Sequence, residues 1–175
     1  MWKTIFMLLL CAVPLSAGQA KNIYTIDAYN FKFTIDLPSG WKAVPQKIKD
    51  DYVLYMLYST KSSPMKPGAV ITIQTFAKNG MDMQEYVMGQ AYNIAQQKKN
   101  LDIEEFEFFH PVYDSFSITY SMDGITSSIL TAIDPGVTVR KGIIVFITLP
   151  GREITPEEMD IFMKLVESVD VPVLK

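Results

Sequence analysis

Residues 137–169 read VTVRKGIIVFITLPGREITPEEMDIFMKLVESV, and this stretch decides the fold class. Its first part, 137–150, is rich in β-branched and apolar residues and stops at Pro150, the composition of a strand. A few residues later the periodicity changes. Thr155 stands where a helix cap belongs, Pro156 takes the first turn, where its missing amide proton costs nothing, and Glu158 follows the cap by three. Met159, Phe162, Met163, Val166 and Val169 then recur at helical spacing. A strand that hands over through a short turn to an amphipathic helix predicts a sheet with a helix laid on it.

Working outward, the same grammar repeats. Strands are expected at 104–109, 115–121 and 125–133, with Gly124 and Asp134–Pro135–Gly136 as turns. Another helix is signalled after Asn79–Gly80: Asp82 caps it, Glu85 lies three residues on, and Met83, Tyr86, Val87, Ala91, Ile94 and Ala95 form its apolar stripe. Lys98 and Lys99 are expected at its negative end. Before it lie two strong strand signals, 51–59 and 69–77. In the first, Val53, Tyr55 and Leu57 alternate with Leu54, Met56 and Tyr58, so both faces are covered or one face is an interface.

Near the start, residues 22–26 and 31–38 read as strands, with Phe31, Phe33 and Ile35 facing one way and Lys32 and Thr34 the other. Asp27 to Asn30 form the expected turn, and Trp41, after Pro38–Ser39–Gly40, is expected to anchor one end of the core. Four strands, a helix, about four strands and a closing helix make an α+β domain: an antiparallel β-sheet core covered by helices.

The first twenty residues, MWKTIFMLLLCAVPLSAGQA, have the layout of a secretory signal peptide: Lys3, an apolar run over 5–15, then small residues up to Ala20. Residues 21–175 are then one exported domain, periplasmic or secreted, without cysteine, since Cys11 is the only one. Lipidation of Cys11 is the alternative, and Leu10 is not the small residue such sites prefer. Membrane contact is expected only through a retained signal segment or a lipidated Cys11. Without Lys3 the chain keeps 15 basic against 19 acidic residues, a formal charge of about −4. No basic stripe interleaved with aromatics appears, so no nucleic acid is expected as a partner.

FKFTIDLPSGW at the start, the following strand pair, a central helix opening MDMQEYV and the closing TPEEMDIFMKLVESV together resemble the Mog1/PsbP-like fold. The resemblance spans the mature chain as an order of elements, and as sequence it rests on the Pro-Ser-Gly-Trp and Glu-Ser-Val motifs. It implies an α/β/α sandwich and kinship with exported bacterial proteins of unknown role. It carries no photosystem or Ran-binding residues onto this chain.

Chemistry is thinly signalled. His110, the only histidine, stands in FFHPVYDS beside Asp114, Ser115 and Ser117, without a Gly-x-Ser-x-Gly elbow. Pro111 makes a turn the simpler reading. Asp102, Glu104, Glu105 and Glu107 lack the spacing of a calcium loop and read as a solvated acidic strand face. No cofactor and no metal site is expected, and a glycine-rich phosphate loop is absent. Aromatic residues point instead to binding. The connection 59–68, TKSSPMKPG within it, and the segment 104–120 are expected to flank one patch for a protein or small-molecule partner. Its candidate contacts are Tyr58, the Lys61–Ser62 step, Met65, Lys66, His110 and Tyr113. The resulting reading is a non-enzymatic binding or accessory protein of the bacterial cell envelope. A hydrolase-type enzyme with a carboxylate/histidine pocket and a membrane-attached envelope structural protein are the rivals.

Overall fold

The computed structural model describes residues 21–28, 31–46, 54–60, 68–96, 98, 100–149 and 151–172. The amino-terminal segment and Cys11 lie outside the described residues. Alternation of apolar and polar positions produces nine strands among them, and the two capped stripes produce two helices. β1 (Ile23–Asp27) and β2 (Lys32–Asp36) form an antiparallel hairpin of their own. β3 (Trp41–Gln46), β4 (Leu54–Ser59), β5 (Val70–Ala77), β6 (Leu101–Glu105), β7 (Asp114–Met122), β8 (Ile125–Asp134) and β9 (Lys141–Thr148) form one antiparallel sheet in the order β3-β4-β5-β9-β8-β7-β6. The last strand is thus the central one, joining the strands before helix α1 (Met83–Ala95) to those after it.

The main core fills one side of the sheet. Leu57, Ile71, Ile73, Ile129, Ile133, Ile143, Val145 and Ile147 point into it, and the hairpin with α2 (Pro156–Glu167) covers them through Ile26, Phe33, Ile35, Phe162, Leu165 and Val166. β2 also pairs beyond the helix through Thr34 and Asp170, with amide–carbonyl bonds of 2.8 and 3.0 Å. On the opposite side α1 lays Met83, Val87 and Ala91 over Phe116, Ile118, Leu130, Ala132 and Ile144. Its principal strand neighbours are β7, β8 and β6.

Local chemistry explains the boundaries. The α2 start is a capping box: Thr155 Oγ1 accepts from the Glu158 amide while Glu158 Oε2 accepts from the Thr155 amide, at 3.3 and 3.1 Å. Asp82 accepts from the Glu85 amide at 2.6 Å. Asp123 and Gly124 both adopt positive φ (53° and 77°), giving the two-residue turn that matches strand twist between β7 and β8.

Several expectations are corrected. The first hairpin is a separate layer, not part of the main sheet. Trp41–Gln46 is a strand although Pro45 interrupts its pattern; it sits at the sheet edge, where a missing amide proton costs no ladder bond. The strand expected at 104–109 lies at Leu101–Glu105, because the chain breaks away after the Phe106 amide bonds Ser117 O and Phe108 folds back onto Phe106 O. β9 begins at Lys141 instead of 137, since residues 135–140 are taken by the turn. α1 ends at Ala95 with Gln96 as its cap, so Lys98 lies beyond the helix and its last turn carries no basic residue. Lys99 lies outside the described residues.

Candidate functional site

Cross-strand register builds the candidate surface. On the α1 side of the sheet, three rows of paired residues run across the strands. One row is Val44, Met56, Thr72 and Phe146; it continues into Leu130 and Ile118 beneath α1. Its neighbours are Lys42–Tyr58–Val70–Thr148 on one side and Gln46–Leu54–Gln74–Ile144 on the other. Ile144, Leu130 and Ile118 are buried, whereas Val44, Leu54, Met56, Val70, Thr72 and Phe146 are only half-buried and Tyr58 is exposed. The same apolar rows are therefore closed at one end and open at the other.

The margin between the two halves is built tightly. Phe76 stacks on Tyr86 of α1 with ring centroids 3.7 Å apart. Beneath it Gly142 leaves the space the ring fills: a β-carbon there would collide with Phe76. On β9, Phe146 meets Tyr120 edge to face at 6.1 Å. Tyr120 is buried, its hydroxyl has no hydrogen-bond partner among the described residues, and burial pushes its pKa up to about 12.

Of the residues singled out from sequence, Tyr58 belongs to this open surface. Lys61, Ser62, Met65 and Lys66 lie outside the described residues. His110 and Tyr113 meet each other, but elsewhere. Strand order puts β4 near one edge and β6–β7 at the other, with β5, β9 and β8 between β4 and β7. At about 4.8 Å per strand the two regions are roughly 19 Å apart. Tyr58 and the start of β7 therefore stand on well-separated strands.

His110 is buried, and its amide and both ring nitrogens are engaged within the fold. Nδ1 accepts from the amides of Val112 and Tyr113 at 3.1 and 3.0 Å. With Nδ1 an acceptor, Nε2 carries the proton and donates to Val169 O at 3.1 Å. Burial pulls its pKa below the usual histidine value, against the opposing pull of the Val169 carbonyl, Glu167 and Asp170. Ser115 Oγ accepts from the His110 amide at 2.8 Å, not from the ring. Ser117 Oγ donates to Phe108 O and bonds Thr131 Oγ1, each at 2.9 Å. A serine–histidine relay is therefore not assembled here; the histidine shapes a turn. Tyr113 stacks on it at 4.7 Å, and the Tyr113 hydroxyl accepts from the Val171 amide at 3.0 Å and donates to Asp170 at 3.2 Å.

A cleft of about 390 Å³ lies at the start of α2, lined by Ser39, Trp41, Gly68, Thr155, Glu157 and Ile161 among others. Trp41 serves both as a core anchor and as one wall of this cleft. Glu158 on the same rim is occupied: Arg152 holds it with bonds of 2.8 and 2.5 Å and keeps its carboxyl below the usual range, helped by the Thr155 bonds. Glu157 is the exposed carboxylate there.

Among the described residues no group of three histidine, cysteine, aspartate or glutamate side chains is placed to hold a metal ion. Asp102, Glu104, Glu105 and Glu107 are all exposed. One polar feature escaped sequence reasoning: Lys78 Nζ, nearly buried, donates to Asp134 Oδ1 at 2.6 Å and Gly136 O at 2.7 Å, pinning β5 to the turn after β8. A lysine directly after an apolar strand and an aspartate before Pro-Gly were its only signals. No helix among the described residues is long and apolar enough to cross a membrane. Neither a protein-family model nor a curated protein matches the chain.

Proposed function

We propose that this is an exported, non-enzymatic binding or accessory protein of the bacterial cell envelope, periplasmic or secreted, which takes a protein partner on the open part of its sheet. The observation that carries the reading is the row Val44–Met56–Thr72–Phe146, flanked by Tyr58 and Val70, left half-buried beside a helix that seals the same row further on. An open sheet face several strands wide suits a protein surface better than a small molecule, which favours concave pockets. The signal-like segment 1–20 supports export. Helices on both sides of an antiparallel sheet, in the order met here, support a Mog1/PsbP-like fold.

Photo-crosslinking in the native envelope tests it. A crosslinking residue at Tyr58 or Thr72 is expected to trap one specific protein, while the same residue at Tyr92, exposed on the outer face of α1, traps none. Equal adducts from all three positions, or none from the sheet, would sink the reading. Intact mass of the native protein checks the leader: a start at Gln19 or Lys21 supports a soluble factor, and a lipid-bearing start at Cys11 supports the membrane-attached rival.

A small ligand in the cleft beside Trp41 is a second reading, favoured by a volume within the usual range for ligand sites of about 300–1,000 Å³. Its test is Trp41 fluorescence: quenching by a component of the envelope metabolite pool, abolished by Trp41→Phe, would support it.

A further inference from the structure

The geometry around His110 points to an acid-sensitive latch: we propose that protonation of His110 opens the 110–113 turn, which the neutral imidazole holds closed. In the closed state His110 links three pieces of chain. Its ring gathers the Val112 and Tyr113 amides through Nδ1, its Nε2–H holds Val169 O just past α2, and its own amide is held by Ser115. The proton that makes imidazolium must go to Nδ1, since Nε2 already carries one. There it would face two amide hydrogens at 3.1 and 3.0 Å with no lone pair left to accept them. Both bonds are lost, and the two amides and the new Nδ1–H are left without partners, while Nε2–H keeps Val169 O.

The surrounding charges do not offset this. Glu167 and Asp170, near the end of α2, favour the cation, as does the stacked Tyr113 ring on the turn itself, yet desolvation outweighs them. Asp170 is in addition tied to the Tyr113 hydroxyl, and its backbone is paired with Thr34. Opening therefore has a defined extent. It frees the turn that carries Val112, which is already 77 % exposed, so little core is disturbed. The sheet and the α2 core, held by Phe162 and Leu165, do not depend on the imidazole.

The test uses the full chain, whose single histidine gives one unambiguous imidazole signal in NMR. His110 is titrated from pH 8 to pH 4 while amide hydrogen exchange, corrected for intrinsic pH dependence, is followed at Val112, Tyr113, Ile144 and Leu165. The expected result is an imidazole midpoint below the free-histidine value near 6.5. Opening at Val112 and Tyr113 rises by up to about tenfold per pH unit between the two values and then levels off, while Ile144 and Leu165 keep their protection. Constant protection at Val112 and Tyr113 through the midpoint overturns the latch; so does protection lost only together with Ile144 and Leu165. His110→Gln adds a control: a pH-dependent opening that persists in that variant also overturns it. If the variant fails to fold, the wild-type titration decides alone.

Discussion

The two faces of the sheet are built from the same strands and finished differently. On one face, a hairpin and a helix from distant parts of the chain bury the inward apolar residues Leu57, Ile71, Ile73, Ile129, Ile133, Ile143, Val145 and Ile147. On the other, a single helix of 13 residues covers β6 to β8 and stops at the Phe76–Tyr86 stack. Cross-strand partners continue without interruption past that line. The comparison teaches that the second core ends where α1 ends, and that beyond it apolar residues such as Val44 and Met56 continue in the same row but are interspersed with Lys42, Gln46, Thr72 and Gln74. Val44 and Met56 differ from Leu130 and Ile118 in having no helix among the described residues above them.

The sharpest way to test the contrast is to truncate matched positions. Phe162→Ala, on the closed face, is expected to lower unfolding free energy by about 3–5 kcal/mol in urea denaturation. Met56→Ala, on the open face, should cost less than about 1.5 kcal/mol, because a half-buried side chain loses less contact and leaves no sealed cavity. Equal losses would mean the open face is in fact closed. The seam between halves gives the next largest effect. Lys78→Met alone, leaving Asp134 without its ammonium partner, is expected to cost about 3 kcal/mol, and adding Asp134→Leu should recover much of that loss.

A smaller effect is expected at the start of α2. Thr155→Ala removes one half of the capping box and should cost about 1 kcal/mol by thermal or urea denaturation. The contribution of Glu158 to this corner has a definite sign with pH. Its folded carboxyl stays ionised to lower pH than an unfolded one, so its stabilisation is full above the ordinary carboxylate range and is lost as pH falls through the depressed folded value. Glu158→Gln should flatten that part of the acid-stability curve. The smallest change is at the boundary between covered and open rows. Tyr120→Phe removes a buried hydroxyl that makes no hydrogen bond among the described residues, and is expected to leave stability unchanged or raise it by up to about 1 kcal/mol.

Much of this architecture is legible residue by residue. Thr155, Pro156 and Glu158 announce a helix start that the structure reproduces as a full box, because capping depends on three neighbours and little else. The double alternation in 51–59 foretells that β4 has two apolar faces, and leaves open which of them is covered. Strand order is invisible at that level. It comes from pairings such as Ile71 with Ile147, whose partners are far apart in sequence, and it is what separates Tyr58 from Tyr113. Pro45 conceals β3 because the rule against proline in strands relaxes at an edge. The engagement of His110 with Val169 is likewise hidden: a contact across 59 positions leaves no local trace.

The place of β9 has a consequence for the order in which the molecule can be made. This strand follows all the other strands of its sheet in the chain, yet it is the keystone between β5 and β8. A nascent chain that ends before Lys141 holds two sheet fragments with no common member and lacks α2 as well. Loop closure must precede the reward of these distant pairings. Commitment to the native topology thus waits for β9, however early the strands before it pair among themselves.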